Sequence, residues 1–189
     1  MGSPKETIQQ EIDKKMADKP EKEKNELKKF ASDLTKGKNP KEAMGLSDDY
    51  IEGMYSFAYR LYSTGKYDQA LQLFQLLVML DPTQSRYLLG LAACFHMLKE
   101  YENASSSYML CSVVDPDDPL PYYHASDCFI QIENPRMAYD SLKICIAKCG
   151  DDEKYKQVKD RAEVSLDILK KSYSPKKNKK NKKKKAAGG

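Results

Sequence analysis

The stretch YDQALQLFQLLVMLDP, residues 67–82, decides how this chain is read, because it returns as YENASSSYMLCSVVDP at residues 101–116. Ala70, Ala104 and Ala138 follow one another at steps of 34 residues. Phe74, Tyr108 and Leu142 keep the same step, as do Leu77, Cys111 and Cys145, and upstream Leu61, Phe95 and Phe129. Tyr67 recurs as Tyr101 and Pro82 as Pro116, while the third copy places the turn formers Pro135 and Gly150 in those two slots. Unrelated amphipathic helices would share a short helical spacing but not a common long phase. The period therefore means stacked copies of one supersecondary unit.

Period and pattern together resemble the tetratricopeptide repeat, a helix–turn–helix unit. With the three alanines at position 20 of the repeat, position 8 holds Ala58, Ala92 and Ser126. Small residues thus stand where the two helices of a hairpin must approach, and bulky ones at positions 11 and 24 fill the space beside them. The proline closing a copy ends its second helix for want of an N–H, and Gly65-Lys66 and Asn134-Pro135 mark turns between helices. The expected fold is all-α: helix pairs over 51–64 and 67–80, 85–98 and 101–114, 119–132 and 135–148. These make three tandem repeats, at about 51–83, 85–117 and 119–150. A C-terminal helix over 151–173, opened by Asp151-Asp152, lines up Tyr155, Val158, Ala162, Leu166 and Leu169 and should cap the third repeat. Residues 21–49 read as an N-terminal helical segment with Leu27, Phe30 and Leu34 on one side, candidate contacts of a homodimer. Residues 1–20 and 174–189 read as disordered.

Composition narrows the function. Of 189 residues, 40% are apolar and 32% charged, enough for a core beneath an ionic surface. The formal charge of +4 conceals an uneven distribution. Eight lysines lie between Lys176 and Lys185, whereas residues 50–175 carry thirteen bases against seventeen acids. A mildly acidic body disfavours a specific nucleic-acid-binding fold. The tail reads as a solvated segment whose contacts with RNA, anionic lipid or acidic protein would be salt-sensitive. The longest apolar run, Leu76 to Leu80, is far too short to insert in a membrane, and no secretory leader is visible, so a cytoplasmic location is expected.

Catalysis and cofactors find no support. The sequence contains no GxSxG, Walker, GxGxxG or HExxH pattern. Cys94, Cys111, Cys128 and Cys145 fall 17 residues apart, half the repeat, at positions where small residues pack between helices. Such thiols act as small hydrophobes and should be reduced. A metal site would need converging Cys/His pairs, and His96 and His124 are the chain's whole supply of histidine. We therefore expect no catalytic residues, no metal and no cofactor.

Several segments go further than the repeat consensus: Tyr55-Ser-Phe-Ala-Tyr59 with Tyr62 and Gly65-Lys-Tyr67, Phe74-Gln75, Leu80-Asp81 and Ser85-Arg-Tyr87. Leu89-Gly-Leu-Ala-Ala-Cys94, Tyr101, Ser107-Tyr108 and Pro121-Tyr-Tyr-His-Ala-Ser-Asp-Cys128 continue the series. Across residues 45–150 the chain resembles the class II type III secretion chaperones of Gram-negative bacteria, the SycD/LcrH family. The resemblance implies a cytoplasmic chaperone that binds an extended segment of hydrophobic translocator proteins in the concave groove of its repeats. It also implies an N-terminal region that contributes to dimers.

The groove chemistry points the same way. In this repeat the first helices line the concave face through positions 2, 5, 9 and 12. These are Tyr55, Tyr59 and Tyr62 in the first copy, Arg86, Leu89, Ala93 and His96 in the second, and Leu120, Tyr123, Asp127 and Ile130 in the third. Phenol rings offer large apolar area, little rotamer entropy to lose, and a hydroxyl for a peptide backbone. Tyr67 and Tyr108 read mainly as core; the resemblance implies that they and Leu80 border the groove. The expected groove is thus Tyr55, Tyr59, Tyr62, Tyr67, Leu80, Arg86, Leu89, His96, Tyr108 and Tyr123. The competing reading is a generic repeat adaptor for protein–protein interaction, for instance one that clamps a C-terminal carboxylate. That function needs Lys or Asn where this chain has Tyr55 and Tyr59.

Overall fold

The computed structural model describes residues 20–172, and every regular element among them is helical. The disorder expected of residues 1–20 and 174–189 lies, apart from Pro20, outside the described residues, as does the last position, 173, of the expected C-terminal helix. In chain order the elements are α1 (Glu21–Thr35), α2 (Pro40–Ala43), α3 (Asp48–Ser63), α4 (Tyr67–Leu80), α5 (Ser85–Met97), α6 (Tyr101–Val114), α7 (Leu120–Gln131), α8 (Pro135–Cys149) and α9 (Lys156–Ser172). From α3 to α9 each helix packs on the next, and α3 also touches α5. The result is a stack of three hairpins, as the 34-residue step requires.

The local chemistry explains the boundaries. Ser47 caps α3, its hydroxyl accepting from the Tyr50 N–H at 3.2 Å, so the helix starts earlier than the repeat frame alone predicts. Asn134 caps α8 through the Met137 N–H, with Pro135 in the first turn. The α2 turn, capped by Asn39, is a helix that the repeat frame does not predict. Asp152 accepts from the Lys154 N–H, but it opens a 3-10 turn, Glu153–Tyr155, that leads into α9 rather than α9 itself. Between the helices of each hairpin the backbone turns left-handed at Gly65 (φ +77°), Lys99 (φ +64°) and Glu133 (φ +56°). These three again stand 34 residues apart, so the repeat imposes a backbone state that only the first copy meets with glycine.

The core follows the periodic slots. Ala58, Ala70, Ala92, Ala104 and Ala138 are fully buried and let paired helices close up, while Phe74, Leu77 and Leu142 fill the space between them. All five cysteines are buried free thiols, and burial pushes Cys94, Cys111 and Cys145 up to about 12. Over the last hairpin, α9 lays Ala162 and Leu166 against Leu142, Cys145 and Cys149. At the other end α1 packs on α2, and Leu27 and Phe30 border an open hollow with Ala43 and the exposed Met44. Leu34, exposed on the same helix, lies outside that hollow.

Candidate binding groove

Three helices, α3, α5 and α7, supply the first helix of each hairpin and carry most of the expected groove residues. On α3, Tyr59 is 58% exposed and, among the described residues, has no ring contact. Tyr55 is half-buried, edge-on to Phe74 at 6.1 Å and tilted on Tyr87 at 5.7 Å. Tyr62 meets Tyr67, which opens α4, at 5.4 Å. The three tyrosines therefore grade from anchored to open. Burial lifts the phenols of Tyr55 and Tyr62 above the usual tyrosine range, which keeps them protonated donors at neutral pH.

Ion pairs tie neighbouring first helices together. Arg86 on α5 donates to Glu52 on α3 at 2.7 Å and lies over the Tyr55 ring at 4.5 Å and the Tyr87 ring at 5.0 Å. Glu52 occupies the same repeat slot as Arg86, one 34-residue step earlier, and that opposition of charge is the signal that would have found it. His96 on α5 joins Asp127 on α7, with Nε2 and Oδ2 2.9 Å apart. The His96 ring stands edge-on to Tyr101 at 5.8 Å and to Tyr108 at 6.1 Å. Tyr108 in turn stacks on His124 at 5.4 Å, and Tyr123 meets His124 at 5.5 Å. Repeat position places Asp127 on this face but does not pair it with His96, which is 31 residues away on another helix.

Two expectations need correction. Leu80, 6% exposed, packs in the cluster of Ile51, Phe74 and Leu77, and Tyr108, 2% exposed, packs among Ala92, Ala104 and Phe129. Both sit on second helices, whose inner faces close the hairpins, so they support the groove wall from behind. Leu89 and Tyr123 are half-buried, leaving one edge open. The third-copy end is also more ionic than the aromatic pattern implies, because His96 and Asp127 meet there.

The histidines titrate in opposite directions. The Asp127 hydrogen bond, with Cys128 behind it, pushes His96 up to about 10, and the same bond holds Asp127 below the usual carboxylate range. Burial lowers His124, reinforced by the charge on His96. The His96 contribution is complete below its ordinary value of 6.5, declines as pH rises, and is lost above about 10. The Asp127 contribution fades in acid, as pH falls below its ordinary value of 3.8. Wild-type urea midpoints should therefore fall between pH 7 and 10, and His96→Leu should remove most of that slope. An unchanged slope in the variant would place the titration elsewhere.

Among the described residues no group of His, Cys, Asp or Glu is arranged to hold a metal, and no helix is long and apolar enough to cross a membrane.

Known proteins share this stack of helical hairpins. A tetratricopeptide-repeat family model matches residues 51–83. Low calcium response locus protein H of Yersinia pestis is 32% identical over 125 residues, which span 66% of this chain and 74% of that protein. Among solved structures, PcrH of Pseudomonas aeruginosa in complex with the chaperone-binding region of PopD superposes with a TM-score of 0.66 at 32% identity, covering 68% of this chain and 96% of that one. The Yersinia enterocolitica type III secretion chaperone SycD, in complex with a peptide of the translocator YopD, gives a TM-score of 0.66 at 31% identity, covering 67% and 97%.

Proposed function

This chain belongs to the class II type III secretion chaperones, the family of low calcium response protein H, SycD and PcrH, and from that premise we propose how it holds its client. It is a bacterial translocator chaperone. The client, a hydrophobic translocator, lays an extended segment along the face made by α3, α5 and α7. Tyr55, Tyr59, Tyr62 and Tyr67 take its apolar side chains, Leu89 and Tyr123 continue the surface, and Arg86 and His96 border it. The single observation that carries this assignment is the exposed Tyr59 beside the half-buried Tyr55 and Tyr62. Three phenols on one helix exceed what the hairpin core uses.

Action is by binding alone. The protein covers apolar sequence that would otherwise associate with itself or with membranes, and releases it unchanged. This takes place in the cytoplasm, where translocators wait before secretion. A generic adaptor that clamps a terminal carboxylate is less well supported, since the first-copy slots are phenolic. The stripe of Leu27 and Phe30 beside Met44 is our candidate for self-association, with Leu34 at its margin. Co-expression with a translocator of its own host tests the central reading. The translocator should move from the pellet to the soluble fraction and co-purify with the chaperone. A translocator that stays in the pellet beside soluble chaperone overturns it.

A further inference from the structure

The groove offers the exposed Tyr59 ring on α3 and, between α5 and α7, the His96–Asp127 pair. Asp127 stands half-exposed on α7, at repeat position 9, the slot held by Tyr59 in the first copy and Ala93 in the second. Its Oδ2 is engaged by His96, and among the described residues its Oδ1 has no hydrogen-bond partner. The His96 ring stands edge-on to Tyr101 and Tyr108, which orients the nitrogen that engages the carboxylate. A guest laid over this point strips water from the carboxylate. The charge is compensated by His96, but the second oxygen then lacks a donor, and an unmatched buried acceptor is costly. The exposed Tyr59 ring on α3, in the same repeat slot, imposes no comparable demand.

We propose that Asp127 is a specificity-determining residue of the groove, accepting a hydrogen bond through Oδ1 from a donor side chain of the guest, an ammonium, guanidinium or indole N–H, with His96 as its positioning residue. The subsite rests on the assignment of α3, α5 and α7 as the groove. It makes the preferred client segment apolar at one end and donor-bearing at the other, and it rejects carboxylates at that register. A guest offering no donor should bind about tenfold more weakly than one that does, the usual consequence of one unpaired buried acceptor.

Selection of short random peptides displayed on phage against the full chain tests this. Wild type should enrich apolar residues at one register and Lys, Arg or Trp over Asp and Glu at another. Asp127→Leu should keep the apolar enrichment and lose the donor preference. Asp127→Asn should invert it towards Asp and Glu, because His96 still donates to the amide oxygen and leaves the amide NH2 facing the guest. His96→Gln, which keeps a donor to Asp127, should retain the wild-type preference that His96→Leu weakens. A merely structural role for the pair would not reverse a side-chain preference. Apolar enrichment without a donor preference, or a donor preference that survives Asp127→Leu, overturns the subsite and leaves the groove standing. Loss of all enrichment in the wild type overturns both.

Discussion

Gly90→Ala is expected to destabilise the protein by about 1–3 kcal/mol, the usual cost of overpacking a core. Helix propensity argues the other way, since alanine is better than glycine inside a helix by about 1 kcal/mol. Gly90 lies mid-way along α5 with ordinary helical geometry, so its backbone gives no reason for glycine. The reason is contact: a Cβ there would stand closer than 3.0 Å to three carbons of the Phe74 ring. Phe74 cannot yield easily, being 2% exposed and held edge-on by Tyr55. Packing therefore outweighs propensity, and the urea midpoint should fall. Phe74→Leu removes the obstructing ring atoms, so in the Phe74→Leu background Gly90→Ala should become nearly neutral. A Gly90→Ala protein as stable as wild type would mean that the α4–α5 seam has room to spare.

Gly90 also shows how far the sequence could be read. Long-range phase made the hairpins legible, since Ala70, Ala104 and Ala138 are small for one shared reason, the close approach of paired helices. A feature that occurs in a single copy has no phase to betray it. Gly90 meets Phe74 only because the second hairpin docks on the first, and nothing within either helix announces that contact. The same limit explains the groove. Tyr55, Tyr59 and Tyr62 announce a face by helical spacing alone. His96 and Asp127 meet only when α5 and α7 have been stacked. Leu80 and Tyr108 failed in the opposite sense. Their chemistry suits a groove, but their places on α4 and α6 turn them into the hairpin interior.

Tyr59→Ala should weaken client binding by about tenfold or more, within the range of an aromatic hot spot, and leave thermal stability nearly unchanged. The two halves of that expectation have separate causes. Tyr59 is 58% exposed, so its truncation removes little from the folded chain and opens no cavity. Under an extended guest the same ring becomes buried and contributes area with few rotamers to freeze. Tyr55→Ala should behave differently, because Tyr55 packs on Phe74 and carries Arg86 on its face. It should lose binding and stability together, which makes it a poor probe of the groove taken alone. Tyr55→Phe and Tyr62→Phe keep the packing and remove only the hydroxyls; the loss they cause measures hydrogen bonding to the guest backbone, expected to be about 1 kcal/mol each. Fluorescence anisotropy with a labelled peptide from the co-purified translocator reads the binding, and far-UV circular dichroism on heating reads the fold. Undiminished affinity in Tyr59→Ala would remove the most exposed ring from the groove and shift the client towards the α5–α7 end. If Tyr59→Ala instead lowered the melting temperature as much as Tyr55→Ala does, the ring would belong to the core of the stack, and an open aromatic trough on α3 would be untenable.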